Sequence, residues 1–303
     1  MIEFALNHSI KPIPVRPADN MPKTLQTVRT IEAMRQWVSR WRGQGMRSAV
    51  VPTMGALHDG HLQLVERGLR IADRVIVTIF VNPTQFAPGE DLDAYPRTEK
   101  QDIMKLRAAG AHVVFAPNRL EMYPEGFSAK VSMGGPAKAG LEDAYRPHFF
   151  DGVATVVAKL LNAAGCDYAM FGEKDFQQLK VVTAMARDLA IPTIIVGVPT
   201  VREADGLAMS SRNAYLTAEE RATAPLLHQT LQELAGNIRA GKNIARSCTS
   251  ARHKLEKAGF RPDYVEARAA ETLAPVKSLG ETDIRLLAAA WLGKTRLIDN
   301  IDV

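Results

Sequence analysis

Residues 47–83 read RSAVVPTMGALHDGHLQLVERGLRIADRVIVTIFVNP, and this stretch decides the fold. The run RSAVVPT (47–53) is short and apolar, which is typical of a buried strand. GHLQLVERGLRIA (60–72) spaces its apolar residues as a helix does, and RVIVTIFVNP (74–83) predicts a second buried strand. A strand, a helix and a strand in this order form a βαβ unit, which implies a parallel sheet with a right-handed crossover.

The same alternation continues along the chain as far as residue 200. Apolar periodicity predicts helices at 97–110, 152–165 and 176–190, and strands at 111–117, 168–173 and 193–200. Gly110 stands where a glycine commonly ends a helix. We therefore predict an α/β domain with a doubly wound parallel sheet, Rossmann-like in type, over residues 24–204.

Beyond about residue 205 the pattern changes. Thr217 with Glu220 is a capping-box signature for a helix start, and Pro225 should sit near its first turns or kink it. A further helix is predicted at about 244–258. Three strands are then predicted at 263–269, 284–292 and 295–301. This half of the pattern predicts a second, smaller α+β domain over residues 205–303 that closes over the site.

The composition argues against a nucleic-acid-binding protein and against a membrane-spanning protein. The 303 residues include 38 Lys and Arg and 33 Asp and Glu, for a net charge of +5. The basic residues are interleaved with acidic ones and form no basic block, so we expect no nucleic-acid partner. The chain contains no apolar run of 18 residues, so we expect no membrane span.

The cysteine content and the N-terminal residues indicate the cellular compartment of the protein. Cys166 and Cys248 are the only cysteines, too few for a disulfide framework, which favours a reducing compartment and a cytoplasmic protein. Residues 1–23 are interrupted by prolines and lack the apolar core of a signal peptide. We predict a flexible extension there.

The loop PTMGALHDGH (52–61) lies between the first strand and the first helix of the quoted stretch. In an open α/β sheet this is where ligands bind, and a helix N-terminus offers unpaired N–H groups to a phosphate. Gly55 permits a close backbone approach, while His58 and His61 are three residues apart and can share one face. The alternative is a helix-capping loop with incidental histidines, but the strand–turn–helix context favours a phosphate site.

Two later segments offer further groups for phosphates. FGEKDFQQ (171–178) follows a predicted strand, so Lys174 could meet ATP phosphates and Asp175 a ribose hydroxyl. It could equally be a solvated turn in which Asp175 caps the next helix. MSSRN (209–213) lies at the predicted domain junction, with two hydroxyls and a guanidinium that suit a triphosphate, although an ordinary polar linker would look the same.

FVNPTQF (80–86) follows the second strand of the quoted stretch. Asn82 and Gln85 would reach the same edge of the sheet, and neutral amides among apolar groups can orient a small polar acid. The alternative is a structural turn at Asn-Pro.

These segments, in this order, resemble the pantothenate synthetase (pantoate–β-alanine ligase) family of the HxGH nucleotidyltransferase-like superfamily. The matching stretches are PTMGALHDGH, FVNPTQF, AYPRT, FGEKDFQQL, GVPTVREADGLAMSSRN and TRLIDNI. The resemblance runs from about residue 25 to the C-terminus. It implies a Rossmann-like N-terminal domain, a smaller C-terminal domain and a homodimer. It also implies the ATP-dependent condensation of (R)-pantoate with β-alanine through pantoyl-adenylate, with release of AMP and pyrophosphate.

The resemblance also implies residue roles. The residues implied to bind ATP are Met54, Gly55, His58, His61, Gly172, Glu173, Lys174, Asp175, Val201, Met209, Ser210, Ser211 and Arg212. The residues implied to be catalytic are His61, His58, Lys174 and Arg212. The residues implied to hold the acid substrates are Gln85, Gln178, Asn82 and Arg146. No carboxylate cluster is evident, so we predict no metal site on the protein and expect Mg²⁺ to arrive with ATP.

One departure from the family pattern concerns the segment before residue 152. The family reads RPxHFxGV there, whereas this chain reads RPHFFDGV (146–153). Phe149 stands where the family has histidine, and His148 comes one place early. Any local role of that histidine is therefore in doubt for this chain.

Two other functions fit parts of the sequence. A nucleotidyltransferase that acts on a phosphorylated acceptor would share the HxGH loop, but its acceptor pocket should bring further Arg or Lys beside Gln85 and Gln178. A non-catalytic nucleotide- or RNA-binding module would fit the isoelectric point of about 9.2. The length of the matching motifs favours the ligase over both.

Overall fold

Parallel strands form the larger of two sheets. The computed structural model describes residues 25–86, 92–93, 95–280 and 282–303, so the extension predicted over residues 1–23 lies outside the described residues. The strands of the larger sheet are β1 Gln26–Val28, β2 Ser48–Thr53, β3 Arg74–Ile79, β4 Val113–Phe115, β5 Tyr168–Gly172 and β6 Ile194–Val198. They pair in the order β1-β4-β3-β2-β5-β6, every pair parallel.

The strand order creates a switch point at the centre of this sheet. From β2 the chain proceeds outward through β3 to β4, then returns to place β5 on the other side of β2 and β6 beyond it. The loops after β2 and β5 therefore leave neighbouring strands in opposite directions, and ligands of doubly wound sheets bind in the crevice so formed. The predicted doubly wound fold is confirmed.

Helices cover both faces of the larger sheet. They are α1 Ile31–Gly43, α2 Asp59–Ile71, α3 Glu99–Ala108, α4 Arg119–Met122, α5 Glu142–Tyr145, α6 Phe149–Ala164 and α7 Phe176–Asp188. The predicted helices at 60–72, 97–110, 152–165 and 176–190 are all present, with ends within three residues of those expected. The sequence analysis did not predict α1 or the short strand β1.

Helix α6 forms the centre of the core. Its residues Val153, Val156, Val157, Leu160 and Leu161 are all buried, as the i, i+3, i+4, i+7, i+8 spacing predicts. Few polar groups interrupt the helix, and it packs against the sheet and against its neighbours α1 and α7. Helical spacing therefore outweighs the β-branched content, which on its own would favour a strand.

The remaining elements build a smaller unit with its own core. They are α8 Ala218–Thr223, α9 Leu226–Arg239, α10 Ile244–Lys257, β7 Phe260–Ala269, β8 Ile284–Leu292 and β9 Thr295–Asp302. The capping box of Thr217 and Glu220 begins α8, and Pro225 separates α8 from α9. The strands pair antiparallel in the order β7-β8-β9, and α9 and α10 pack on them.

A smaller α+β unit is therefore present, as expected, while the predicted boundary between residues 204 and 205 stays a prediction. Within the ranges that the structure describes, no helix combines the length and apolarity that crossing a membrane requires.

Candidate active site

A cavity of about 720 Å³ opens at the switch point of the larger sheet and extends to the smaller unit. Such a volume suits a ligand of nucleotide size. The predicted site residues that line it are Met54, His58, His61, Asn82, Gln85, Arg146, Gly172, Lys174, Asp175, Gln178, Val201, Met209, Ser210, Ser211 and Arg212. Gly55 and Glu173, also predicted, are not among the residues that line it.

The loop after β2 is fixed by a buried carboxylate that the sequence analysis missed. Asp102 of α3 is 1% exposed, and its two oxygens accept hydrogen bonds from the N–H groups of Ala56 (3.0 Å) and Leu57 (2.9 Å). Gly55 beside them has φ +84°, a conformation that a residue with a side chain rarely adopts. An aspartate within the apolar pattern of a predicted helix was the available signal.

The two histidines stand at the start of α2. His58 is the residue just before the helix, and Nδ1 of His61 accepts a hydrogen bond from the His58 N–H at 3.3 Å. That bond places the ring proton of neutral His61 on Nε2, which remains able to donate. The ring centres lie 4.1 Å apart. Gly60 between them leaves the space that the rings need, because a Cβ there would lie 2.9 Å from the His58 ring.

Both histidines are uncharged at neutral pH. Burial, with the nearby charge of Lys174, lowers the pKa of His58 to about 4. Burial lowers the pKa of His61 to about 3, helped by the charge that His58 carries once it is protonated at low pH and by the charge of Lys174. The rings therefore offer N–H donors to an anion, while the positive charge of the site resides on Lys174, Arg212 and the N-terminal end of α2.

Lys174 lies in a short 3₁₀ turn, Glu173–Asp175, that connects β5 to α7. Its ammonium lies 3.7 Å from the Asp175 carboxylate, and its side chain is one-fifth exposed toward the cavity. Because β5 neighbours β2, the lysine faces the histidine loop across the switch point. These groups are thus brought together by the strand order and not by their separation in sequence.

Two successive glutamines at the start of α7 have different environments. Gln177 is 3% exposed and bonds to the Glu142 N–H, the Pro136 carbonyl and the Asp143 carboxylate. Gln178 lines the cavity and makes no side-chain hydrogen bond to the described residues. Gln178 is therefore available to a ligand, whereas Gln177 is committed to the fold.

The segment after β6 brings hydroxyl groups to the same cavity. Ser210 precedes the 3₁₀ turn Ser211–Tyr215, and its Oγ accepts a hydrogen bond from the Arg212 N–H at 3.2 Å. The Oγ of Ser211 donates to the Ala56 carbonyl at 3.0 Å. This bond joins the serine–arginine segment to the histidine loop, more than 150 residues earlier in the chain. Met209 in turn bonds through its N–H to the Val201 carbonyl.

On the other side of the cavity Asn82 holds Gln85. Asn82 is 1% exposed, and its Nδ2 donates to Gln85 Oε1 (3.1 Å) and to the Gly152 carbonyl (3.2 Å). Its Oδ1 accepts from the Tyr123 hydroxyl at 2.8 Å. The amide of Gln85 reaches the Met54 sulfur, 3.1 Å from its Nε2, at the cavity wall. Asn82 thus acts within the protein as the support of Gln85.

The departure from the family pattern has a clear structural result. Phe149 is buried, and the guanidinium carbon of Arg146 lies 3.9 Å from its ring centre. Arg146 also donates to the Gln85 carbonyl at 3.2 Å. His148 is exposed at the start of α6 and does not line the cavity. At the position where the family pattern has a histidine, this chain therefore places no imidazole in the cavity.

The described residues around the cavity do not form a cluster of carboxylates that could bind a metal ion. Across residues 25–86, 92–93, 95–280 and 282–303, the structure has no group of three or more His, Cys, Asp or Glu side chains arranged to hold a metal ion. A divalent cation at this site would therefore rely on ligands supplied by a substrate.

A cavity at the switch point, with phosphate-binding groups on one side and amides on the other, defines an α/β enzyme that uses a nucleotide and a second small substrate. The model of the Pantoate-beta-alanine ligase family matches residues 26–302. The chain belongs to that family, whose members are carbon–nitrogen ligases that join pantoate to β-alanine with ATP.

Individual relatives cover almost the whole chain. A pantothenate synthetase of Rhodopseudomonas palustris is 57% identical over 275 residues, which are 91% of this chain and 97% of that protein. A pantothenate synthetase of Paramagnetospirillum magneticum is 55% identical over 93% of this chain and 99% of its own length. The resemblance inferred from the sequence motifs is confirmed.

Solved structures agree with the fold. The pantothenate synthetase of Thermus thermophilus superposes with a TM-score of 0.86 at 44% identity, over 91% of this chain and 99% of that one. The pantoate-beta-alanine ligase of Francisella tularensis superposes with a TM-score of 0.78 at 31% identity, over 92% and 98% of the two chains. The latter was solved in complex with beta-gamma ATP and beta-alanine.

Proposed function

We propose that this chain condenses (R)-pantoate with β-alanine in the cavity at the switch point, in two steps. In the first, the pantoate carboxylate attacks the α-phosphorus of ATP, and pyrophosphate leaves with the electrons of the broken P–O bond. In the second, the uncharged amine of β-alanine attacks the acyl carbon of pantoyl-adenylate, and AMP leaves. The observation that carries the proposal is the convergence of four separate segments on one cavity.

The phosphates of ATP would lie between the start of α2 and the turn that carries Lys174. Pantoate is already ionised and needs no base, so the site acts by positioning its substrates and by stabilising charge. His58 and His61 would donate N–H bonds, Lys174 and Arg212 would supply positive charge, and the start of α2 would add unpaired backbone N–H groups. Met54, Gly55, Val201 and Met209 would shape the rest of the nucleotide site.

The hydroxyl and acidic groups have separate roles in the proposal. Ser210 and Ser211 would lie beside the triphosphate, with Ser211 also bonded to the histidine loop through the Ala56 carbonyl. Gly172 permits the backbone to approach the nucleotide, and Asp175 would accept a bond from a ribose hydroxyl. Mg²⁺ bound to the phosphates would neutralise part of their charge.

Pantoate would bind on the amide side of the cavity. Gln178 makes no side-chain hydrogen bond to the described residues, and Gln85 is presented by Asn82, so both amides can meet hydroxyl and carboxylate groups. The guanidinium of Arg146 stacks on Phe149 next to Gln85, which places a positive charge near the acid. Buried apolar residues of α6, such as Phe150 and Val153, would cover the alkyl part of the substrate.

The decisive experiment measures pyrophosphate and AMP with ATP, Mg²⁺ and D-pantoate, with and without β-alanine. Pyrophosphate with pantoate alone, and pantothenate with AMP only when β-alanine is added, is the expected result. Gln178→Ala should raise the KM for pantoate on the order of tenfold or more, because a site built around a hydrogen bond rejects a lost partner strongly. Folded wild-type protein that releases no pyrophosphate with pantoate would refute the proposal and favour a phosphorylated acceptor.

We also propose that the enzyme works in the cytoplasm, where ATP is produced, and as a homodimer, as the family resemblance implies. Both cysteines are free thiols, which fits a reducing compartment. Sedimentation at micromolar concentration tests the dimer, and a mass of one chain would refute it.

A further inference from the structure

The segment TRLIDNI (295–301) matches the family strongly but contributes no residue to the predicted site. It forms most of strand β9 in the smaller unit. Two consecutive residues of this strand, Asp299 and Asn300, are 3% and 2% exposed. Consecutive side chains of a strand point to opposite faces, so the pair reaches two different neighbours. A buried polar side chain in such a place needs specific partners, and two of those of Asn300 lie in the turn that carries Lys174.

Asn300 is bonded to the backbone of the turn that carries Lys174. Its Nδ2 donates to the carbonyl oxygens of Glu173 (2.9 Å) and Lys174 (2.8 Å). Its Oδ1 accepts from Nε of Arg285 at 2.7 Å. Both N–H groups of the Asn300 amide therefore donate to this turn. The bond from Arg285 to Oδ1 fixes the orientation of the amide, with Nδ2 toward the turn.

Arg285 holds Asn300 in this orientation from strand β8. Its guanidinium carbon lies 4.4 Å from the ring centre of Phe176, and its Nη2 lies 3.3 Å from the Glu173 carboxylate. Arg285 thus contacts the turn on one side and Asn300 on the other. The arrangement is a brace between the smaller unit and the turn after β5.

We propose that Asn300 is a positioning residue, which fixes the backbone turn of Lys174 so that the C-terminal sheet sets where the lysine ammonium meets the nucleotide phosphates. This rests on the proposed role of Lys174 at the phosphates. The Lys174 side chain starts from this turn, so a shift of the turn moves the point from which its ammonium must reach the phosphates. A misplacement on the order of 1 Å can slow a reaction about a hundredfold.

The test replaces Asn300 by a side chain of the same shape that lacks the two N–H donors of Nδ2. Asn300→Asp keeps an acceptor for Arg285 but directs a carboxylate oxygen at two carbonyl oxygens. We expect kcat/KM for ATP to fall at least tenfold and the KM for pantoate to change less than twofold. Asn162→Asp is the matched control, because Asn162 donates to a backbone carbonyl, that of Ala158, on α6 outside the cavity. The control should keep full activity.

A double-mutant cycle distinguishes positioning from general structural damage. Lys174→Ala should remove most of the effect of Asn300, so the double variant should be within twofold of Lys174→Ala alone. If the losses of kcat/KM in the two single variants multiply in the double variant, the two residues act independently and the inference is overturned. Full activity of Asn300→Asp would also overturn it. If the carboxylate variant fails to fold, Asn300→Ser, which is smaller and neutral, takes its place in the same cycle.

The same cycle is measured on the binding of a non-hydrolysable ATP analogue by calorimetry. This keeps the inference separate from the proposed function. Wild-type protein that binds the analogue but releases no pyrophosphate with pantoate would refute the function, and the cycle would still decide the role of Asn300. Equal affinities of wild type and Asn300→Asp, in active enzyme, would overturn the inference alone.

Discussion

Asp102 illustrates how single buried groups build this site. Its carboxylate is almost fully enclosed, yet it accepts from two backbone N–H groups and from the Thr98 hydroxyl at 3.1 Å. Lys105, one helical turn further on, donates to the Leu57 carbonyl at 2.5 Å. The two residues of α3 thus bind both the N–H and the carbonyl of Leu57, in the loop that presents the histidines. Burying an unpaired carboxylate would destabilise the fold, but these hydrogen bonds compensate for the lost water. Asp102 therefore anchors the loop.

Asp102→Asn should destabilise the protein and weaken ATP binding together. The new amide group brings donors toward backbone N–H groups that also donate, which leaves unsatisfied buried groups at a cost of about 1–3 kcal/mol. Urea unfolding measures the stability, and the KM for ATP measures the loop. Asp188→Asn is the control, because Asp188 is exposed and pairs with its neighbour Arg187, so the urea midpoint should stay unchanged. A variant with normal stability and normal KM would contradict the anchoring role.

The low pKa values of the histidines predict a pH dependence of stability. The unfolded chain binds protons near pH 6.5, whereas folded His58 and His61 do so only near pH 4 and 3. Below pH 6.5 the unfolded state therefore holds more protons, and the stability falls as the pH falls through this window. Each histidine adds a slope on the order of 1 kcal/mol per pH unit.

His61→Gln should make this slope shallower. A glutamine at this helix position can still accept the His58 N–H, so the cap is retained while the titrating ring is removed. Urea unfolding at pH 7, 6 and 5 measures both slopes, and His112, whose pKa is also lowered to about 4 by burial, contributes equally to both proteins. Identical slopes would show that His61 titrates normally in the folded chain.

At the level of elements, α6 lies in direct contact with the backbone of the turn Pro83–Gln85. A Cβ on Gly152 would lie 2.3 Å from the Thr84 carbonyl oxygen and 2.8 Å from Cα of Gln85. Only a glycine lets the helix approach the backbone that presents Gln85. The Asn82 amide bridges the same two elements through its bonds to Gln85 and the Gly152 carbonyl. The helix therefore sets the position of the acid-binding amide.

Gly152→Ala should separate these elements. Overpacking typically costs about 1–3 kcal/mol, and the displaced turn should raise the KM for pantoate more than the KM for ATP. Gly236→Ala on α9 is the matched control, since nothing lies within 4 Å of its added Cβ. That substitution should stabilise the protein by about 0.4–1 kcal/mol. A Gly152→Ala protein with unchanged stability and KM would mean that the contact is looser than the structure has it.

Elements were easier to predict from the sequence than their contacts. The buried strands and α6 follow from local apolar patterns, because each buries residues at a fixed spacing. Helix α1 also carries such a pattern, in Met34, Val38 and Trp41, but the pattern is short and lies beside no motif. The strand order, the burial of Asp102 and the bonds of Asn300 depend on residues far apart in the chain. No local pattern contains that information.

At the scale of the whole molecule, a buried ionic network joins the two units. Arg296 of β9 donates to the Glu142 carboxylate at 2.8 Å and to the Asp263 carboxylate at 2.7 Å, and the Tyr264 hydroxyl donates to Glu142 at 2.8 Å. Burial lowers the pKa of Arg296, but Glu142 and Asp263 outweigh it and raise the pKa above its ordinary value. Glu142 belongs to α5 of the larger unit, whereas its partners belong to the smaller one.

Arg296→Met should uncouple the unfolding of the two units. Removing one partner of a buried ion pair typically costs about 3–5 kcal/mol, because the remaining carboxylates keep their charge without compensation. Each unit has its own apolar core, so the loss should fall on the contact between them. Scanning calorimetry should then change from one transition in the wild type to two in the variant.

Lys254→Met is the control for that experiment. Lys254 pairs with Glu233 at 2.5 Å, but both residues lie on helices of the smaller unit, and their side chains are 38% and 60% exposed. Exposed pairs contribute about 0–1 kcal/mol, so this variant should keep the single transition. One transition in both variants would place the coupling in other contacts between the units, such as the bonds of β9 to Glu173, Lys174 and Arg202. Two transitions in Arg296→Met alone would mean that this ionic network, and not the apolar contact by itself, makes the two units unfold together.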